Sequence, residues 1–138
     1  MKTSICYRKH LISVMLFVTI LFALAADAMA QHGGKAEPKR IQFVKGRSST
    51  TLTGTLANGQ EMEYVFGASS DQKALIKNSN ARLFDVRIFN EDVGLETEFE
   101  SSPTFTTDLL KPGDYMLFVR RKAGGPKSAR FSIVLTIK

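Results

Sequence analysis

The chain has 138 residues, 19 of them basic and 13 acidic, with one cysteine and no tryptophan. That length holds one domain of ordinary size, which excludes a TIM barrel, a two-domain enzyme and a full dinucleotide-binding fold. The single Cys excludes an internal disulfide framework.

Residues 1–30 read as an export signal. Lys2, Arg8 and Lys9 precede an uncharged apolar run over residues 11–26, and Ala26-Asp27-Ala28-Met29-Ala30-Gln31 follows. A basic start, an apolar stretch and small residues at A-x-A spacing are what a signal peptidase reads. Cleavage is expected after Ala30, with Ala28 as the alternative. The competing reading is a retained membrane anchor, for which the run is a little short of the roughly 20 residues a spanning helix needs. Cys6 lies before the apolar run, where no lipoprotein cysteine would stand.

Cleavage after Ala30 leaves 108 residues, 16 basic and 12 acidic, a net charge of +4 and no cysteine. An exported domain without disulfides depends on its core for stability. The expected location is the bacterial periplasm or outside the cell, with no stable membrane insertion after cleavage.

Residues 31–40 (QHGGKAEPKR) lack periodicity and read as a flexible leader. From Ile41 the period is two, and residues 41–138 are expected to form the folded domain. Ile41 and Phe43 open the pattern; Leu52, Gly54 and Leu56 continue it, then Met62, Tyr64, Phe66 and Ala68. Phe84, Val86 and Ile88 follow, then Tyr115, Leu117 and Val119, and last Phe131, Ile133, Leu135 and Ile137. Apolar-in, polar-out alternation marks half-buried antiparallel strands.

Turn signals separate these runs. Asn58-Gly59 is the strongest, since both residues tolerate the positive φ of a two-residue hairpin turn. Leu109-Leu110 before Pro112 reads as a short helical turn. The expected fold class is all-β, a single antiparallel β-sandwich of about eight strands.

The chemical inventory argues against an enzyme. The mature chain holds one histidine, His32 in the leader, and no cysteine, so neither a histidine-based triad nor a thiol nucleophile is available. No glycine-rich phosphate motif is present. No cofactor and no metal site are expected. Glu96, Glu98 and Glu100 alternate along one expected strand, with Leu95 and Phe99 inward. A solvated outer face is the favoured reading over a Ca²⁺ cluster, which draws ligands from Asp/Asn/Gly-rich turns. Arg120, Arg121, Lys122, Lys127 and Arg130 flank Ala123-Gly124-Gly125-Pro126, the loop of an expected final hairpin. Five cations around one loop suit an anionic partner, although a solvated tip is the plainer reading. No exposed aromatic is interleaved for base stacking, and nucleic acid is not expected.

Three stretches carry a family resemblance. They are Ile41-Gln42-Phe43-Val44-Lys45-Gly46-Arg47-Ser48-Ser49 with Leu52 and Gly54; Tyr64-Val65-Phe66-Gly67-Ala68-Ser69-Ser70-Asp71-Gln72-Lys73; and Leu110-Lys111-Pro112-Gly113-Asp114-Tyr115-Met116-Leu117-Phe118-Val119. Together they resemble the small exported β-sandwich of the periplasmic inhibitors of goose-type lysozyme. More distantly they are similar to bacterial pre-peptidase C-terminal domains. The resemblance spans residues 41–138. It implies a binding protein that places loops in a muramidase cleft, carried here by Asn58, Gly59 and Gln60 and by Arg120, Arg121 and Lys122. Arg120 or Arg121 would pair with the catalytic carboxylate there. Tyr115, after the Pro112-Gly113 turn, is expected to tie back to nearby backbone as a tyrosine corner. The expected partner is a goose-type lysozyme. The alternative is a carbohydrate- or envelope-binding module that meets anionic cell-wall glycan without inhibitory activity.

Overall fold

The alternating apolar residues become the inner faces of two facing sheets. The computed structural model describes residues 37–138; the expected signal peptide, both cleavage positions, His32 and the first part of the leader lie outside the described residues. Nine strands follow in chain order: β1 (Lys39–Arg40), β2 (Ser49–Ala57), β3 (Glu61–Ala68), β4 (Gln72–Asn78), β5 (Phe84–Asn90), β6 (Leu95–Glu96), β7 (Thr104–Leu109), β8 (Gly113–Arg121) and β9 (Ser128–Ile137). One sheet has the order β1-β3-β8-β5-β6, the other β2-β9-β4-β7.

The pairing is nested. β2 pairs with β9, β3 with β8, β4 with β7 and β5 with β6, all antiparallel. β4–β9 and β5–β8 ladders join these pairs into sheets. This is the winding of a jelly roll, the double Greek key of many β-sandwiches. β1 adds a short parallel strand, with Lys39 opposite Tyr64 and Arg40 opposite Val65.

The expected all-β sandwich is therefore the observed fold, and five local readings change. The Asn58-Gly59 turn does not close a hairpin, because β2 and β3 belong to different sheets. Gln60 N donates to Ala57 O at 3.0 Å, and of the two central residues only Gly59 has positive φ, at 74°. That is a type II turn, with glycine at its third position. Likewise β8 and β9 do not pair, so the basic loop crosses between sheets. β4 and β7 are strands that the alternation did not signal. Leu109, expected in a helical turn, ends β7 fully buried, while Leu110 is 70% exposed. Ile41 and Phe43 are not in a strand, yet both pack on the core.

Phe66, Phe84, Tyr115, Leu117, Val119, Phe131, Ile133 and Leu135 are fully buried between the sheets. Each such side chain contributes about 1.5–3 kcal/mol by leaving water. Phe66 stacks on Tyr115 with ring centroids 5.7 Å apart, and Phe84 meets Phe131 edge-on at the same separation. Phe131 reaches that position by lying across Gly54, where a Cβ would stand 2.7 Å from its ring. At the end of the sandwich where β8 begins, Tyr115 OH donates to Lys111 O at 2.6 Å, the tyrosine corner expected from the sequence.

Candidate functional site

The two loops singled out in the sequence meet where β8 ends. Gly59 N donates to Arg121 O at 2.9 Å, and Arg121 N donates to Gln60 O at 2.8 Å. Asn58 N donates to Lys127 O at 3.0 Å, so the β2–β3 turn is tied to both ends of the β8–β9 loop. The Asn58 side-chain amide faces Gly124 O and Pro126 O at 3.2 Å each, two acceptors that only its nitrogen can satisfy. Gln60 folds back on its own turn, its Oε1 accepting from Ala57 N at 2.9 Å.

Arg121 holds this assembly from beneath. Its side chain is fully buried, because it continues the inward parity of Tyr115, Leu117 and Val119. One terminal nitrogen donates to Lys122 O at 2.7 Å and Leu83 O at 3.3 Å. The other donates to Gly124 O at 2.8 Å and Pro126 O at 3.1 Å. Four carbonyls thus converge on one planar fork, a task the guanidinium geometry suits and a lysine ammonium does not. Its Nε is buried without a hydrogen-bond partner. The Arg121 charge serves the loop and not the surface.

Lys122 is also engaged, its Nζ donating to Ala81 O at 2.8 Å and Ser101 Oγ at 3.2 Å. The turn over residues 79–83 that receives it is fixed by buried Asn78, whose Nδ2 donates to Phe84 O at 2.9 Å. Arg120 points outward and grips Asp85, with Nε–Oδ1 at 3.0 Å and Nη2–Oδ2 at 2.6 Å. Those hydrogen bonds, with the charges of Asp85 and Glu61, hold the Arg120 guanidinium above its ordinary pKa despite partial desolvation. Asn58, Gly59 and Gln60 are exposed, as are residues 123–127.

The alternation in the sequence misplaces one aromatic beside this site. Arg120 lies 3.6 Å from the Phe99 ring centroid, and Arg87 lies over Phe99 at 5.0 Å and Phe118 at 4.7 Å. Phe99 is thus not inward, as its spacing from Leu95 predicts. Along β5, Asn90 faces Leu95 and Phe89 faces Glu96, but Val86 faces Glu100, so residues 95–100 carry one extra residue. Such a bulge reverses the facing of the residues beyond it, and Phe99 turns to the outer face over the arginines. The available signal was Phe89, Met116 and Phe118, apolar residues on outward parity of β5 and β8.

The acidic cluster is dispersed by the same segment. Glu96 pairs with Arg87 at 3.1 Å, and Glu100 bridges Val86 through backbone. Among the described residues, no three His, Cys, Asp or Glu side chains gather as a metal would require. At the opposite end a cavity of about 170 Å³ is lined by Val93, Leu95, Leu110 and Tyr115 with Asp108 and Lys111. Asp108 there is paired with Lys73 at 2.8 Å. Among the described residues, no helix is long and apolar enough to cross a membrane.

Fold and site define a jelly-roll β-sandwich that presents two braced loops at one end. Solved structures share that architecture. PliG of Aeromonas hydrophila, a periplasmic lysozyme inhibitor of g-type lysozyme, matches with a TM-score of 0.63 and 16% identity over 73% of this chain and 96% of its own. PliG of Salmonella Typhimurium matches with a TM-score of 0.57 and 23% identity over 72% of this chain and 96% of its own. The pre-peptidase C-terminal domain of a Bacillus anthracis collagenase matches at 0.50, with 20% identity over 74% of this chain and 95% of its own. These are the inhibitor fold and the more distant relation that the sequence resembles. No protein-family model and no curated protein matches the chain.

Proposed function

We propose that the mature protein is an exported, non-catalytic binding protein that inhibits a goose-type lysozyme in the periplasm. The observation that carries this reading is the bracing of the Asn58–Gly59–Gln60 turn against the β8–β9 loop by Arg121 and the Asn58 side chain. An inhibitor that enters a cleft gains affinity when its loops are ordered before binding. The PliG proteins of this fold are inhibitors of g-type lysozyme, which adds support.

In this reading Asn58, Gly59, Gln60 and the exposed residues 123–127 make the contact, with Arg120 and Lys122 at its base. Arg121 acts as the support under the loop. Lys127 and Arg130, both exposed at the end of that loop, are the cations left to meet a cleft carboxylate, Lys127 lying nearer the tip.

The test is lysis of peptidoglycan by a goose-type lysozyme with added mature protein. Inhibition at near-stoichiometric amounts is expected, weakened by Asn58→Ala paired with Lys127→Glu. Unchanged lysis at large excess would sink the proposal. Salt-resistant retention on peptidoglycan without inhibition would replace it with the glycan-binding reading.

A further inference from the structure

The four sheet edges of this sandwich are not alike. Unpaired edges invite another strand, and proteins usually blunt them with charge, brevity, proline or a bulge. β1 is two residues long and both are basic. The β6 edge carries Glu96, Glu98 and Glu100 and the extra residue opposite β5. β7 has six residues and includes Asp108. β2 has none of these protections: its nine residues, Ser-Thr-Thr-Leu-Thr-Gly-Thr-Leu-Ala, hold no charge and no proline. They run in unbroken register with β9 from Ser49↔Thr136 to Ala57↔Ser128.

The ladder ends show which backbone groups face away. Ile137 N donates to Ser48 O at 2.8 Å and Asn58 N donates to Lys127 O at 3.0 Å. Both belong to the β2–β9 register, so the even-numbered residues exchange hydrogen bonds with β9. Ser49, Thr51, Thr53 and Thr55 therefore aim their N–H and C=O groups out of the sheet, and β2 pairs with β9 alone among the described strands.

We infer that this edge pairs with β2 of a second copy, antiparallel about a two-fold axis through Thr53. In that register Thr53 faces Thr53 of the second copy, Thr51 faces Thr55, and every open group of these three residues finds its complement. The side chains of these three residues meet as threonine on threonine, a favourable cross-strand pair. No like charges face each other along the strand, although the mature protein carries net positive charge. A second copy fits because the edge is its own complement about Thr53, as a two-fold contact requires. The protections on the other three edges limit association to a closed dimer instead of a filament. The paired sheets would form one eight-stranded sheet. Five residues from axis to loop on each side, at ~3.4 Å per residue, put the two Asn58 turns about 34 Å apart and both unobstructed.

Sedimentation velocity on the mature protein, from low to high concentration, tests this. The apparent mass should rise from one chain to two. Amide exchange should slow at Thr51, Thr53 and Thr55 over the same range, while Leu52, Gly54 and Leu56 are protected throughout. Thr53→Pro removes only an outward donor, which an edge strand tolerates, and should abolish the dimer. Thr53→Lys places like charges on the axis and should weaken it by at least about tenfold. Mixing Thr53→Lys with Thr53→Glu should restore pairing, and circular dichroism checks that each variant is folded. A single-chain mass at every concentration overturns the inference. So does a dimer indifferent to both Thr53→Pro and Thr53→Lys, or an edge that captures an extended peptide while the chain stays monomeric.

Discussion

Arg121 donates to the carbonyl of Gly124 at 2.8 Å from a position with no solvent exposure. The contact makes a core side chain the floor of a surface loop, so loop order and fold stability are coupled. Arg121→Met should lower stability by about 3 kcal/mol, since the four carbonyls lose a charged donor. It should also open the loop to trypsin at Lys122 and Lys127. Arg121→Lys should recover less than half of the loss, because one ammonium cannot fill a planar fork. Thermal melts and limited proteolysis read both effects. Equal resistance of Arg121→Met and the parent chain to trypsin would remove Arg121 from any role in the loop.

Gly54 and Phe131 predict a steric effect of opposite sign to the usual gain from replacing glycine in a strand. A Cβ at Gly54 would stand 2.7 Å from the Phe131 ring, which is wholly buried. Gly54→Ala should cost about 1–3 kcal/mol through overpacking. Gly67→Ala is the control: its nearest neighbour is Asp114 Oδ1 at 3.6 Å, ordinary contact, and the change should be near neutral. Phe131→Leu combined with Gly54→Ala should cost less than the sum of the two alone, measured by denaturant unfolding.

Alternation in the sequence gives away strands far better than it gives away partners. β2, β3, β5, β8 and β9 are legible because each carries three or more residues of the inward set at period two. β4 is hidden by Leu75, an apolar residue on its outward side, and by Asn78, a polar residue on its buried face. β7 is hidden because Thr104, Thr106 and Thr107 leave only Phe105 and Leu109 as apolar markers. The nested pairing is not legible at all, since period two is indifferent to which strand lies alongside. For that reason the Asn58-Gly59 turn and the basic loop both look like hairpins in the sequence. The site is legible as two loops, and the inward parity of β8 already carries the burial of Arg121. Phe99 cannot be placed, because a bulge is a property of two strands and shows in neither one alone.

Arg120 and Phe99 predict a measurable coupling on the outer face. The guanidinium lies 3.6 Å from the ring centroid while also bound to Asp85, which is 3% exposed. A double-mutant cycle with Phe99→Leu and Arg120→Met should give a coupling of about 0.5–1 kcal/mol. Arg120→Met alone should cost more than Phe99→Leu, about 3 kcal/mol, because Asp85 is then left buried without its partner. Adding Asp85→Asn to Arg120→Met should return part of that loss. Strict additivity of Phe99→Leu and Arg120→Met would dissolve the proposed stacking contribution.

Tyr64 predicts the alkaline limit of stability. It is 5% exposed, and its hydroxyl donates to Met62 Sδ at 3.0 Å, a weak acceptor. Burial raises the phenol pKa above its ordinary value. In the unfolded chain a tyrosine loses its proton near pH ~10. Above that pH the folded state retains a proton that the unfolded state has released, so stability must fall as pH rises toward the folded pKa. Below the unfolded value the contribution is fully present, and no loss from Tyr64 is expected in neutral solution. Tyr64→Phe should cost less than about 1 kcal/mol at neutral pH, since only the weak sulfur contact goes. It should also flatten the decline above pH ~10 relative to the parent chain, because that proton no longer exists to be lost. Urea unfolding at a series of pH values checks the slope. Parallel declines for the parent chain and Tyr64→Phe would assign the alkaline loss to other groups.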